Sequence, residues 1–390
     1  MIVRHFLQWV RNAPDPARAE ATGALARAFL YSDLSPDDRA AAEGAMLMLL
    51  DDPWPLVRRA LADALAASPD APPAVIYALA EDQPQIAAPV YALSPLFVDA
   101  DLVDAVATGS SAVQAAIASR SELPRSVAAA VAEVGSAEAC LVLLENPGAE
   151  IAPFSVERVV ARFGHLAAIR EPLLARDDLS ASVRQTLVTK LSETLAGFVA
   201  GRAWLDVDNA LRVAREACEK VTVALAAETP DGEVGPLIRH LRESGQLTAG
   251  LILRALLSGN IVLFEEALAE LADMPVARVS GLLNDGGFGG LRALFDRAGL
   301  PASTYPAFKE AIEAMREGGF VSEPGGAARL KRRMIERVLT RCENEEFGEL
   351  APLVTLLHRF ATEAAREEAR LFCDELVAEE FADAAQSEAA

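Results

Sequence analysis

DDPWPLVRRALADAL, residues 51–65, holds the pattern on which the fold turns. An acidic pair opens it, Pro53 and Pro55 stop any helix arriving from upstream, and Val57 then heads an apolar stretch with helical spacing. Three further stretches align with it: EDQPQIAAPVYAL (81–93), TGSSAVQAAIASR (108–120) and ARDDLSASVRQTLVTKL (175–191). Each opens on an acidic or small polar turn and places a β-branched residue, Ile86, Val113 or Val183, at the head of a helix. The first three anchors stand 29 and 27 residues apart, and a degenerate unit around Cys140 to Val160 fills the longer gap before Val183. Second helices fall between them, in PPAVIYALAED, DLVDAVATG and LPRSVAAAVAEVG. Proline suits their first turns, where its missing N–H has no intrahelical acceptor to lose.

Strand patterning is sparse elsewhere, and Ala, Leu, Arg and Glu fill the segments between turns, so the chain is expected to be all-α. Its 390 residues include 52% hydrophobic and 6% aromatic side chains, enough for a large core. Lys and Arg number 36 against 57 Asp and Glu, a net charge of −21 that repels polyanions and disfavours nucleic acid as a partner. Cys140, Cys218, Cys342 and Cys373 lie far apart, which suits a reducing compartment and neither a disulfide framework nor a zinc site. MIVRHFLQWVRNAPDP at the start lacks the apolar core of a secretory signal, and no stretch reaches the roughly 18 apolar residues of a membrane span. A cytoplasmic protein without an integral membrane segment is expected.

The D-x-x-x-x-V-R pattern at Asp52…Val57-Arg58 and Asp178…Val183-Arg184 resembles the HEAT-like class of α-solenoid repeat, over roughly residues 40–200. The resemblance implies an inter-repeat polar ladder of Asp52, Arg58, Asp178 and Arg184, broken in the middle units where Ala87 and Gln114 follow the anchors. From about residue 200 the period disappears and the helices lengthen. A boundary near Ala200 to Ala203 therefore separates a HEAT-like repeat domain, 1–200, from an all-helical C-terminal domain, 201–390. Helices are expected there over 204–228, 234–244, 247–258, 261–272, 276–284, 288–298, 304–317, 327–343 and 347–382. The chain, and above all ARVSGLLNDGGFGGLRALFDRAGLP at 277–301, also resembles an uncharacterised bacterial family of unknown function. That resemblance supplies no activity.

Marker residues for chemistry are missing. His5, His165, His240 and His358 are scattered, and neither a nucleophile elbow nor a phosphate-binding loop occurs, so no catalytic residue, metal ligand or cofactor is assigned. The glycine-rich turn at 284–291 precedes a helix and offers bare amides, but no strand leads into it and no lysine follows. Arg329, Arg333, Arg337 and Arg341 recur every fourth residue and form a basic stripe, suited to an acidic partner or to the chain's own acidic C-terminal helix. The leading expectation is a non-enzymatic scaffold or regulatory protein that binds another protein through an α-solenoid surface. The alternatives are a small-ligand or phosphate receptor or enzyme at the 284–291 turn, and a nucleic-acid-binding regulator.

Overall fold

The computed structural model describes residues 6, 8–10, 12–176, 178–284, 288–318, 326–343 and 351–388, with side chains at most of them. Within that span the chain is all-α, and the only extended pairing is an isolated parallel bridge between Leu123 and Ala149. Two compact units divide it, residues 1–179 and 180–390.

The first unit contains α1 (Asp15–Tyr31), α2 (Pro36–Leu49), α3 (Pro55–Leu65), α4 (Pro73–Ala80), α5 (Pro84–Leu93), α6 (Asp99–Thr108), α7 (Ser111–Ala118), α8 (Arg125–Val134), α9 (Ala137–Glu145), α10 (Pro153–Phe163) and α11 (Ala167–Leu174). Five of them begin with proline, whose fixed φ and missing N–H fit a first turn. Odd-numbered helices pack on one another in sequence, α1 on α3 and so on through α11, and α6, α8 and α10 pack likewise beside them. Alternate helices touch because each exposes apolar residues both to its hairpin partner and to the next pair. Val57, Leu61 and Leu65 of α3, Ile86 and Val90 of α5, Val113 and Ile117 of α7, and Ala139 and Leu143 of α9 are all buried. The Cys140 to Val160 region holds parts of α9 and α10.

The second unit opens with two long helices, α12 (Ala181–Gly201) and α13 (Val207–Glu228), packed against each other. There follow α14 (Asp231–Glu243), α15 (Ala249–Leu257), α16 (Ile261–Ala272), α17 (Val276–Asn284), α18 (Phe288–Arg297), α19 (Tyr305–Gly318), α20 (Gly326–Glu343) and α21 (Ala351–Glu388). α15 is the centre: every residue from Leu251 to Leu257 is buried, as expected of a helix that is apolar all round. It packs against α13, α16, α19 and α20. Phe308 joins Phe264 and Phe295 in one aromatic core, with centroid separations of 6.2 and 4.9 Å. The break between units falls at Leu179 and Ser180, about one helix before the Ala200 to Ala203 boundary read from the sequence, because α12 packs with α13 and α14.

Candidate functional site

In the first unit, long polar side chains tie each helix pair to the preceding one. Arg18 makes a bidentate pair with Asp52 at 2.9 and 3.0 Å, and Arg58 makes another with Asp82 at 2.5 and 3.0 Å while donating to the Asp52 backbone carbonyl at 2.6 Å. Further along the carboxylate is replaced by the main chain. Arg120 donates to the carbonyls of Tyr91 and Ser94 at 2.6 and 3.0 Å, and Arg162 to those of Ala132 and Gly135, both at 2.7 Å. Asn146 donates to the carbonyls of Ala118 and Arg120, both at 2.7 Å. These acceptors lie at the C-terminal ends of α5, α7 and α8, where helix carbonyls have no intrahelical donor. Burial alone would push the Asp52 and Asp82 carboxyls up, but the hydrogen bonds from Arg18 and Arg58 hold both below the ordinary value. Burial likewise lowers the Arg120 guanidinium.

Asp52 and Arg58 therefore stand at these inter-pair contacts, though each has a partner that the sequence pattern did not name. Asp178 pairs instead with Arg176, two residues away, at 2.7 Å, and Arg184 lies half-buried on α12 in the second unit. The signal for Arg120, Asn146 and Arg162 was weak, since a side chain that bonds to backbone carbonyls leaves no partner residue type to search for.

Residues 51–150 contain four arginines against fourteen acids. All four arginines are engaged: Arg58 and Arg120 as above, Arg59 with Asp63 at 2.6 Å and Arg125 with Glu150 at 3.3 Å. Asp104, Glu122, Glu138 and Glu145 are exposed, and no ion pair to any of them is found among the described residues. The outward charge of this stretch is strongly negative.

In the second unit a cavity of about 480 Å³ opens between α12, α13 and the turn joining α14 to α15. Thr189, Glu193, Arg215, Cys218, Glu219 and Gln246 are among the residues that line it. The Gln246 side-chain oxygen accepts from Gln185 Nε2 at 3.0 Å and from the Thr189 hydroxyl at 3.2 Å, while the Oε1 of the wholly buried Gln185 amide has no partner among the described residues. Glu219 accepts from the Thr248 hydroxyl at 3.1 Å and faces Arg254 at 3.9 Å. Burial pushes the Glu219 carboxyl above its ordinary range. Arg254, only 4% exposed, also pairs with Glu363 of α21 at 2.5 Å and lies over the Phe360 ring at 4.2 Å. Cys140 has no comparable access: it is buried, and desolvation lifts its thiol to about 11.

Of the basic stripe, Arg333 and Arg337 are exposed on α20, and the side chains of Arg329 and Arg341 lie outside the described residues. Two neighbours of the stripe bind the acidic helix, Lys331 to Glu367 at 2.9 Å and Arg332 to Glu368 at 2.8 Å. The sequence contained this pairing as two adjacent cations facing two adjacent acids. Within the 284–291 turn, residues 285–287 lie outside the described residues. Beyond it, a Cβ on Gly290 would come within 3.2 Å of Leu282, so α17 and α18 meet closely there. No helix among the described residues is long and apolar enough to cross a membrane, and no cluster of three metal-ligating side chains occurs among them.

The family described as uncharacterised proteins conserved in bacteria, DUF2336, matches residues 86–347, about two thirds of the chain. The chain belongs to this family. DUF2336 here runs from α5 of the first unit through α20 and so covers parts of both units, including the whole cavity lining. No curated protein and no solved structure matches the chain.

Proposed function

We propose that this chain is a non-enzymatic interaction protein whose first unit is a HEAT-like α-solenoid that receives a partner through a basic segment. The placement of charge carries this reading: Arg58 and Arg120 are turned into contacts between helix pairs and Arg59 and Arg125 are paired, while Asp104, Glu122, Glu138 and Glu145 face outward. Pairs of helices stacked in register present a long continuous surface, and an unneutralised acidic one attracts and orients a cationic partner. The complementary sign supports a Lys- or Arg-rich protein segment as the partner. Crosslinking from native lysate should recover one dominant partner, whose contact segment is basic and whose capture weakens as salt rises. Contacts mapping mainly to the second unit, or capture indifferent to salt, would overturn the reading.

The cavity supports a second reading, a small-ligand receptor in the second unit. Its lining combines two carboxylates, Glu193 and Glu219, with one guanidinium and several hydroxyl and amide groups, a set suited to a small polar molecule bearing an amino group. A saturable thermal shift with such metabolites, lost in Glu193→Gln, is the result expected of this reading. A library of them giving no shift would dismiss it.

A further inference from the structure

The hairpin of α12 and α13 carries an apolar surface that no described residue of its own unit covers. Leu191, Leu195 and Phe198 recur at i, i+4 and i+7 on α12 and so lie on one face, yet Leu195 is 54% and Phe198 49% exposed. At the turn, Trp204 is 64% exposed and meets the Phe198 ring edge-on at 5.9 Å. Leu205 and Val207 continue the surface into the start of α13 and are exposed as well. Arg202 lies over both rings, 4.8 Å from Phe198 and 5.9 Å from Trp204, and so holds the indole and the phenyl in a fixed arrangement.

We propose that this face is a homodimer interface, in which the α12–α13 hairpin of a second copy pairs with it about a two-fold axis to complete a four-helix bundle. The area argues for a second copy. Taking ~150–250 Å² for a whole aromatic side chain and ~100 Å² for an aliphatic one, the exposed fractions of these six residues amount to about 450 Å² of apolar surface per copy. That is within the range of the largest apolar patch on a typical monomer, a size that marks interaction sites. Two copies would bury about 900 Å² of it, and homodimer interfaces are about 65% apolar, so the whole contact comes to roughly 1,400 Å². This falls inside the 1,200–2,000 Å² of stable interfaces. The shape agrees: two antiparallel helices of 21 and 22 residues, packed along one side, are half of a bundle. A two-fold contact is self-complementary, so one apolar stripe serves both partners.

Sedimentation velocity of the full chain at ~50 μM tests this. Wild type should sediment at twice the 41.4 kDa chain mass. Leu195→Glu/Phe198→Glu should sediment as a single chain with an unchanged helical circular dichroism spectrum, since both side chains are solvent-exposed. The milder Trp204→Ala should weaken dimerisation at least about tenfold, as expected for truncating a central aromatic anchor. Raising salt from 50 to 500 mM should leave the dimer intact, because the contact is apolar. A monomeric wild type overturns the proposal, whether or not it binds lipid vesicles, and so does a dimer that survives the double substitution.

Discussion

Replacing Arg120 by Met tests whether arginine-to-carbonyl contacts hold the helix pairs of the first unit together. Met keeps most of the aliphatic stem and removes both donors, so the carbonyls of Tyr91 and Ser94 lose bonds of 2.6 and 3.0 Å. Each hydrogen bond to a charged group contributes about 1.5 kcal/mol at the low end, about 3 kcal/mol together. Burial of the guanidinium, which lowers its pKa, offsets part of that, so the expected net loss is about 2 kcal/mol. For a unit of 179 residues this corresponds to a fall of about 4–8 °C in Tm. The assay is a thermal melt of the full chain at 222 nm, with amide exchange across 84–118 to assign the loss to this region. Arg125→Met is the control, because the Arg125–Glu150 pair is 75% and 68% exposed and should contribute less than about 1 kcal/mol. The reasoning fails if Arg120→Met and Arg125→Met melt together within about 0.5 kcal/mol, or if faster exchange appears only in the second unit.

Arg254→Met should cost about 3–5 kcal/mol in urea unfolding, because it strands Glu219 beside a buried, unpaired position, and adding Glu219→Leu should recover much of the loss. Asp82 has its carboxyl held below 3.8 when folded, so the stability from its pair with Arg58 is present above about pH 4 and disappears as pH falls through the folded value. Asp82→Asn should accordingly be less stable than wild type by about 1 kcal/mol at pH 7 and converge with it as the pH falls through the folded value, in acid titrations of the melting point. Cys140, with a thiol near 11, should resist iodoacetamide at pH 8 in the native protein while the exposed Cys373 reacts, as read by mass spectrometry.

Local structure was largely legible in the sequence. The expected helices at 261–272 and 276–284 coincide with α16 and α17, because Asn260 caps the first and Asp273 ends it in the left-handed region at φ 49°. α14 begins at Asp231, three residues ahead of the expected 234, and its first turns accommodate Gly232, Gly235 and Pro236. Val183 shows where local reading stops. The Ser180 hydroxyl accepts from the Val183 amide as Ser110 does from Val113 and Ser136 does from Ala139, so the cap chemistry of α12 is that of α7 and α9. Its packing differs: α12 runs 21 residues beside α13, and Gln185 and Thr189 turn to Gln246. A capping signature fixes a helix start and carries no information about the neighbour. The cavity was illegible for a related reason, because Glu193, Cys218 and Gln246 come from separate elements and are unremarkable singly.

The claim that the first unit receives a basic partner through its acidic surface is tested most directly by removing that charge without touching the contacts between helix pairs. Asp104→Asn, Glu122→Gln, Glu138→Gln and Glu145→Gln together alter four exposed residues and should leave the melting temperature within about 2 °C of wild type. The measurement is the dissociation constant for the crosslink-identified partner, by fluorescence anisotropy at 50 and 200 mM salt. The account predicts at least tenfold weaker binding at 50 mM salt and a shallower salt dependence. Unchanged affinity in the four-fold variant, with the fold intact, would contradict it.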